Sequence, residues 1–348
     1  MRILVVGDQH FRFQLPYASA VKDGRKAEWE AVKQEIWALA GGCESVVLLG
    51  DNFNSRHNHS SVNREFVEFL KGFGSKHVYI IAGNHERYGK ETALDFLQKA
   101  QLPGVHIYTE PTHDNIIGIT GTMTATFIPF QTAGTMDTQT NEDALAKILR
   151  NLEQRDVIFM HHTLSGATWP GGGAQYLVNE IVMPTEELEK KYKWVISGHI
   201  HKPQQLSPKT FHVGNIFTTE IGEHEKFVWT LDTEKGMEKH RLPVRGIYRV
   251  MVGEKQFATI PDHSIVKAIV TDRMMNIDTV REELKRFDAS IIVEQYPNER
   301  TKVSIDEAKG LDLSLDNLLK VYSETRGVSY PDLKYAFDLL ESHENTRA

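Results

Sequence analysis

Five short apolar segments of this chain are each followed by polar residues of the kinds that bind metal ions. The segments with their polar successors are 3–6 with Asp8 and His10, 46–49 with Asp51, 78–82 with Asn84, 157–160 with His161, and 194–197 with His199 and His201. Short apolar segments bounded by glycine and turn residues are typical of buried strands. Functional groups in open α/β sheets gather beyond the carboxyl ends of the strands. We therefore expect these side chains to share one site.

The donor groups in this set are carboxylate, imidazole and amide, without a thiolate. That combination suits divalent manganese, iron or zinc. Residues two apart in an extended segment point the same way, so Asp8 with His10, and His199 with His201, can each direct two side chains at one site. Asp51 is placed to bridge two metal ions about 3.5–4 Å apart, the separation used in two-metal hydrolysis.

Each of these segments also has an ordinary interpretation. An Asp-x-His pair at a strand end is often only a hydrogen-bonded surface group, and Gly83-Asn84 fits a simple turn. The chain has 16 histidines, so neighbouring pairs are expected by chance. The coincidence of all five segments with predicted strand ends favours a site for two metal ions.

The polar residues occur in the order Asp-x-His, Gly-Asp, Gly-Asn-His-Glu, His and Gly-His-x-His. This order resembles the calcineurin-like metallophosphoesterase superfamily, from residue 1 to about residue 235. Segments 7–11, 49–53, 196–203, 213–215 and 227–232 look most like the SbcD (meiotic recombination eleven) family of DNA repair nucleases, including phage-encoded versions. The resemblance implies an α/β fold, an α/β/β/α sandwich with a small C-terminal α/β capping domain and terminal helices.

The superfamily resemblance also implies a role for each polar residue. One metal ion would be surrounded by Asp8, His10, Asp51 and His201, and the other by Asp51, Asn84, His161 and His199. His85 matches the family's histidine that is not a ligand, and it would donate a proton or hydrogen bond to the phosphate or the departing alkoxide. His161 is expected to be the ligand rather than His162, because it is the first polar residue after its strand. Asn54 departs from the pattern, since relatives usually carry Asp or His there.

The sequence changes character at residues 243–246, which suggests a domain boundary. The predicted domains are a metallophosphoesterase (nuclease) domain at 1–243, a capping and DNA-contacting domain at 244–310, and C-terminal helices at 311–348 that would bind an ATPase partner. Within the second domain we predict strands at 248–252, 265–271 and 291–295 and a helix at 279–287. The pattern Thr279-x-x-Glu282 predicts a capping box at the start of that helix. At the other end of the chain, apolar positions in 26–39 predict a helix that stops at Gly41.

Two amphipathic helices are predicted at the end of the chain. The first carries Leu315, Leu318, Leu319 and Tyr322 on one face, and the second carries Leu333, Phe337 and Leu340. The first set has the spacing of a helix that docks into a groove, and packing on the chain's own capping domain is the alternative. Two loops also stay open: Arg56, His57 and His59 either contact phosphate or are solvated, and Trp169–Gly173 is either a turn or a cover for the substrate.

Composition places this chain of 348 residues among ordinary globular proteins, with room for one large domain and smaller ones. The single cysteine, Cys43, excludes an internal disulfide and is expected to be a small buried apolar residue. The first apolar segment is too short for a signal peptide, and no segment has the length of a membrane span. We therefore expect a cytoplasmic protein, in the bacterial cytosol or in a host cytosol if phage-encoded. The net charge of −7 argues against a broadly basic surface but leaves DNA open as a substrate.

The family resemblance implies a nuclease, both exonuclease and endonuclease, that needs two divalent metal ions, with Mn²⁺ the expected one. It would be the nuclease subunit of an SbcC/SbcD-type DNA repair and recombination complex, with DNA as substrate and a coiled-coil SbcC-type ATPase as partner; a homodimer stays open. The alternatives are a small-molecule phosphodiesterase or phosphoprotein phosphatase of the same superfamily, and a scaffold without activity. The intact ligand set argues against a scaffold. The extra C-terminal segment favours the nuclease, because small-molecule members commonly end near the last strands of the sheets.

Overall fold

The computed structural model describes residues 1–12, 14–21, 24–169, 180–252 and 258–295, together with 319–320, 323, 329–331 and 333–335. Several predicted features lie outside the described residues, namely the loop 170–173, residues 296–310, and Leu315, Leu318, Tyr322, Phe337 and Leu340 of the terminal helices. The chain divides into two compact units, Met1–Gln295 and Tyr296–Ala348. Every helix in the described part is too short or too polar to cross a membrane.

Helices and strands alternate along most of the first unit. The strands are β1 (Arg2–Val6), β2 (Ser45–Leu48), β3 (His77–Ile81), β4 (Arg87–Tyr88), β5 (Glu91–Thr92), β6 (Val105–Tyr108), β7 (Thr112–Ile117), β8 (Thr122–Ile128), β9 (Arg155–Met160), β10 (Thr163–Leu164), β11 (Val182–Met183), β12 (Tyr192–Ser197), β13 (Gln204–Gln205), β14 (Thr210–His212), β15 (Phe227–Asp232), β16 (Gly236–Arg241), β17 (Ile247–Met251), β18 (Ile265–Val270) and β19 (Ala289–Glu294). The helices are α1 (Lys26–Gly41), α2 (Ser60–Lys71), α3 (Asp95–Ala100), α4 (Asn141–Asn151), α5 (Thr185–Lys191) and α6 (Ile277–Leu284), with a 3-10 turn at Ala18–Ala20.

Two six-stranded sheets form the centre of this unit, in the orders β16-β15-β1-β2-β3-β6 and β13-β14-β12-β9-β8-β7. The inner strands of each sheet are parallel. The outer strands β15, β16, β13 and β7 run antiparallel to their neighbours. Because the inner strands of each sheet run in one direction, their carboxyl ends meet at one edge.

The alternation of side chains along β1 shows how the layers are held together. Ile3 and Val5 are fully buried against the second sheet, in one apolar cluster with Phe159 of β9. Leu4 and Val6 face the other way and pack with residues of α1, α2 and α3. On the far side, α4 and α5 cover the second sheet. This arrangement confirms the predicted α/β/β/α sandwich, and Cys43 is buried in its core as expected.

A smaller parallel sheet, β17-β18-β19, follows the sandwich. Parallel neighbours need a crossover connection, which α6 supplies between β18 and β19. Val250, Val266 and Val280 form an apolar cluster that belongs to this module alone. The three strands confirm the predicted ones to within two residues, while the domain boundaries at 243 and 310 remain a prediction.

Two local predictions were wrong or incomplete. The predicted capping box at Thr279 does not form, since α6 begins at Ile277 and its N-cap is Asn276, whose side chain accepts a hydrogen bond from the backbone N–H of Asp278 at 2.9 Å. Asparagine is a preferred N-cap residue, and it lies upstream of Thr279. Strand β16 was not predicted, because this edge strand is mostly polar and gives no apolar pattern.

Candidate metal centre

The loops after β1, β2 and β12 turn sharply into the site. His10, Asp51 and His199 have φ angles of 48°, 44° and 77°, in the left-handed region that side chains other than glycine rarely adopt. Such backbone strain is concentrated at functional sites. The expectation that Asp8/His10 and His199/His201 point together as extended segments was wrong, because both pairs lie beyond their strands. The left-handed turns, rather than strand alternation, direct these side chains inward.

The predicted residues nevertheless converge. Nε2 of His10 lies 2.9 Å from Nε2 of His201, which in turn lies 3.9 Å from Oδ2 of Asp8. These three residues have donor atoms within 4.8 Å of one another. Chain segments almost 200 residues apart therefore form the first group of donor atoms.

Asp51 lies between this group and the other predicted residues. Its Oδ2 is 3.4 Å from Nε2 of His161 and 3.9 Å from Nε2 of both His10 and His85. Its Oδ1 accepts a hydrogen bond of 2.9 Å from the backbone N–H of His85. The carboxylate is 2% exposed. Asp51 is thus in the position expected of a bridging ligand.

The second group contains Asn84, His161 and His199. Oδ1 of Asn84 is 3.0 Å from Nε2 of His161 and 3.0 Å from Nδ1 of His199. The other ring nitrogen of His161 lies 2.6 Å from the carbonyl oxygen of Leu49, to which it can only donate. Nε2 of His161 is then left with a lone pair that faces Asn84 and Asp51. His162 is also buried, but its Nε2 accepts a hydrogen bond from the backbone N–H of Gln131, so the geometry favours His161.

The electrostatics of the site fit cations. Burial and the nearby charge of Asp51 raise the pKa of Asp8 well above its usual value. Oδ2 of Asp8 is also buried without a hydrogen-bond partner, a costly state for a carboxylate that a bound cation would relieve. Burial lowers the pKa of His10 to about 3, so its ring is neutral at pH 7, the form that binds metals. The donor set therefore fits two divalent cations.

Glycines and one buried glutamate hold the loops close together. A side chain on Gly83 would bring its Cβ to 2.1 Å from Oδ1 of Asp51, which explains why glycine precedes Asn84. Glu86 accepts hydrogen bonds from the backbone N–H groups of Gly83 at 2.6 Å and Phe53 at 2.9 Å, joining the loops after β2 and β3. Burial raises the pKa of Glu86 to about 8.

Four residues that support the site were missed by the sequence analysis. Glu180 lies 2.9 Å from Nε2 of His199, and Glu223 lies 3.2 Å from Nδ1 of His201. The rings of Phe130 and Trp169 lie 5.7 and 5.6 Å from that of His199. Neither glutamate follows a predicted strand end, and the chain has 47 acidic residues, so no sequence signal distinguishes them.

An open cleft of about 200 Å³ leads to the centre. It is lined by Asp51, Asn84, His85, Trp169, Glu180, His199, His201 and Glu220. The His85 side chain is 43% exposed, and its Nδ1 lies 3.1 Å from the carbonyl oxygen of Asn54. The Asn54 side chain instead accepts a hydrogen bond of 3.0 Å from Arg12. Nearby in sequence, the guanidinium of Arg56 lies 4.6 Å above the ring of the exposed Tyr88.

The two facing sheets, their flanking helices and a carboxylate–imidazole centre at one edge define a class of metal-dependent hydrolases. Residues 1–203 match the calcineurin-like phosphoesterase family, and this chain belongs to that family. Membership indicates a metal-dependent hydrolase of phosphoesters. A solved structure, TT1561 of Thermus thermophilus, aligns with 69% of this chain and 98% of its own length at 12% identity and a TM-score of 0.38, too low to carry an argument. None of the curated proteins matches the chain.

Proposed function

We propose that this protein is a DNA nuclease that depends on two divalent metal ions and serves as the nuclease subunit of an SbcC/SbcD-type repair and recombination complex. Asp8, His10, Asp51 and His201 would hold one ion, and Asp51, Asn84, His161 and His199 the other. Mn²⁺ is the expected metal. When bound, the two ions supply positive charge that polarises a phosphodiester and lowers the pKa of water at the site.

His85 has the geometry of a proton donor rather than of a ligand in this proposal. Its Nδ1–H donates to the carbonyl oxygen of Asn54, and this bond orients the ring. Nε2 is then free to carry a proton towards the cleft, where the departing 3′ or 5′ oxygen of a cut strand would need one. Imidazole suits this work because its ordinary pKa is near neutral.

The observation that carries the choice of DNA is the extra module at β17–β19. It lies beyond the residues that match the phosphoesterase family, and small-molecule members of the superfamily commonly lack such an addition. Arg12, Arg56 and Tyr88 add support, because cations contact phosphates and exposed aromatic rings stack on bases. Arg12 reaches the cleft through Asn54, whose carbonyl oxygen contacts His85.

The direct test compares substrates under one set of conditions. Protein stripped of metal and then supplied with Mn²⁺ is expected to degrade linear duplex DNA, and to do so only with the metal. The same samples are assayed with bis-p-nitrophenyl phosphate and with p-nitrophenyl phosphate, a diester and a monoester. Robust turnover of the monoester without any cutting of DNA would replace the nuclease proposal by a phosphatase.

The partner proposal concerns the predicted helix that begins near Ser314. Leu315→Ala combined with Leu319→Ala is expected to abolish co-purification with an SbcC-type ATPase, because each lost leucine weakens a docked apolar face by roughly 2 kcal/mol. Metal-dependent nuclease activity of the isolated subunit should stay near normal. The matched control is Asp316→Ala with Lys320→Ala, which changes positions off the apolar face. A double leucine variant that melts far below the parent would instead place these leucines in the chain's own core.

A further inference from the structure

The carboxylate of Glu223 lies directly behind His201. Nδ1 of His201 is 3.2 Å from Oε1 of Glu223, whereas Nε2 on the other side of the ring faces His10 and Asp8. An ionised carboxylate can only accept hydrogen bonds. The ring hydrogen of His201 must therefore lie on Nδ1, which leaves the lone pair of Nε2 pointing into the metal centre.

Glu223 is held in place by contacts that do not involve His201. Its Oε2 accepts hydrogen bonds from the backbone N–H groups of Thr219 and Glu220. Its carbonyl oxygen accepts a hydrogen bond of 2.9 Å from the N–H of Ile247, the first residue of β17, and the N–H of Gly222 donates to the carbonyl oxygen of Ile247 at 2.8 Å. Glu223 is thus fixed before any metal arrives, as a supporting residue must be to orient a ligand.

A second explanation for Glu223 is its ion pair with Lys226. The Nζ atom lies 3.2 Å from Oε1, and the two side chains are 2% and 3% exposed. Lys226 also donates to the side chain of Asn215 and to the carbonyl oxygen of His201. Removing one charge of a buried pair is strongly destabilising. The test must therefore separate the pairing of Lys226 from the orientation of His201.

We propose that Glu223 is a positioning residue that fixes the tautomer and orientation of His201 for metal binding. The inference rests on the proposed dinuclear centre. Partners of this kind typically contribute about 10–100-fold to metal affinity in other sites. The module that begins at β17 would then contribute to the centre, since its first residue holds the main chain of Glu223.

Glu223→Gln gives a sharp test because of the way glutamine would sit. Its carbonyl oxygen can replace Oε2, which keeps the hydrogen bonds from Thr219 and Glu220. Its NH₂ group then faces His201 and would donate to Nδ1, moving the ring hydrogen to Nε2 and blocking that nitrogen. The same NH₂ group faces Lys226 and leaves its charge unpaired, so the single variant is also expected to be less stable. Glu223→Gln with Lys226→Met removes both charges together.

The measurement is calorimetric titration of Mn²⁺ into each metal-free protein, with the melting temperature recorded in parallel. Wild type should bind two ions, and both Glu223 variants should lose about 10–100-fold in affinity at one site. The melting temperature should fall in the single variant and recover in the double variant. Glu225→Gln is the control, since this carboxylate is 54% exposed and pairs with Arg241.

Two results would overturn the inference. One is a double variant that binds both ions as tightly as wild type, which would make Glu223 only a counterion for Lys226. The other needs no variant: ¹⁵N NMR of histidine-labelled, metal-free wild type should show the hydrogen of His201 on Nδ1, and a hydrogen on Nε2 contradicts the proposal. Wild type that binds fewer than two ions would instead count against the dinuclear centre itself.

Discussion

Replacing Asp51 by asparagine is expected to abolish hydrolysis and to reduce the bound metal at both positions. Asp51 and Asp8 are the only carboxylates among the seven proposed ligands, so the variant loses half of their negative charge. Its Oδ2 is also the atom that faces His161, His10 and His85 at once. Loss of this stabilisation, worth several kcal/mol, corresponds to a decrease of about 10³-fold or more in kcat/KM.

The size of the metal loss separates a shared ligand from an ordinary one. His199→Ala is expected to reduce binding of one ion only, because the His199 ring contacts Asn84 of the second group and not the residues of the first. Metal content by mass spectrometry, after equilibration with Mn²⁺, measures the difference. Asp156→Asn is the control, since this exposed carboxylate bonds to Thr124 at the amino end of β9. An Asp51→Asn protein that retains two ions would contradict the bridging role.

Much of the centre could be predicted because it lies at the ends of buried strands. Apolar segments such as 46–49 and 157–160 mark strands from composition alone, and parallel strands bring their carboxyl ends to one edge. Asp51 and His161, 110 positions apart in sequence, are therefore expected to be neighbours before any coordinates are known. The structure places them 3.4 Å apart.

The residues behind the predicted ligands could not be found in this way. Glu180 and Glu223 lie in loops, and each reaches its histidine through a contact that depends on the path of the chain rather than on periodicity. The left-handed backbone of His10 and His199 is equally invisible, since sequence patterns of this kind identify glycine but not histidine as a residue for such turns. What remained unpredicted is therefore the support and orientation of the ligands, not their identity.

Replacing His85 by alanine is expected to lower DNA hydrolysis by about 10²–10⁴-fold, the usual contribution of a general acid. The bound metal should stay at two ions, because Nδ1 of His85 is occupied by the carbonyl oxygen of Asn54. His85→Asn should be similarly impaired. Its amide can still donate to that carbonyl oxygen but cannot transfer a proton, so it separates orientation of the loop from chemistry.

The dependence on the leaving group gives the sharper readout. An alkoxide of DNA needs a proton as it departs, whereas p-nitrophenolate is stable without one. The loss caused by His85→Ala should therefore be large with DNA and much smaller with bis-p-nitrophenyl phosphate. His263→Ala, at a histidine that is 89% exposed in the smaller module, is the control. Equal losses with both substrates would rule out proton donation, and loss of a metal ion from His85→Ala would make His85 a ligand instead, as its 3.9 Å approach to Oδ2 of Asp51 allows.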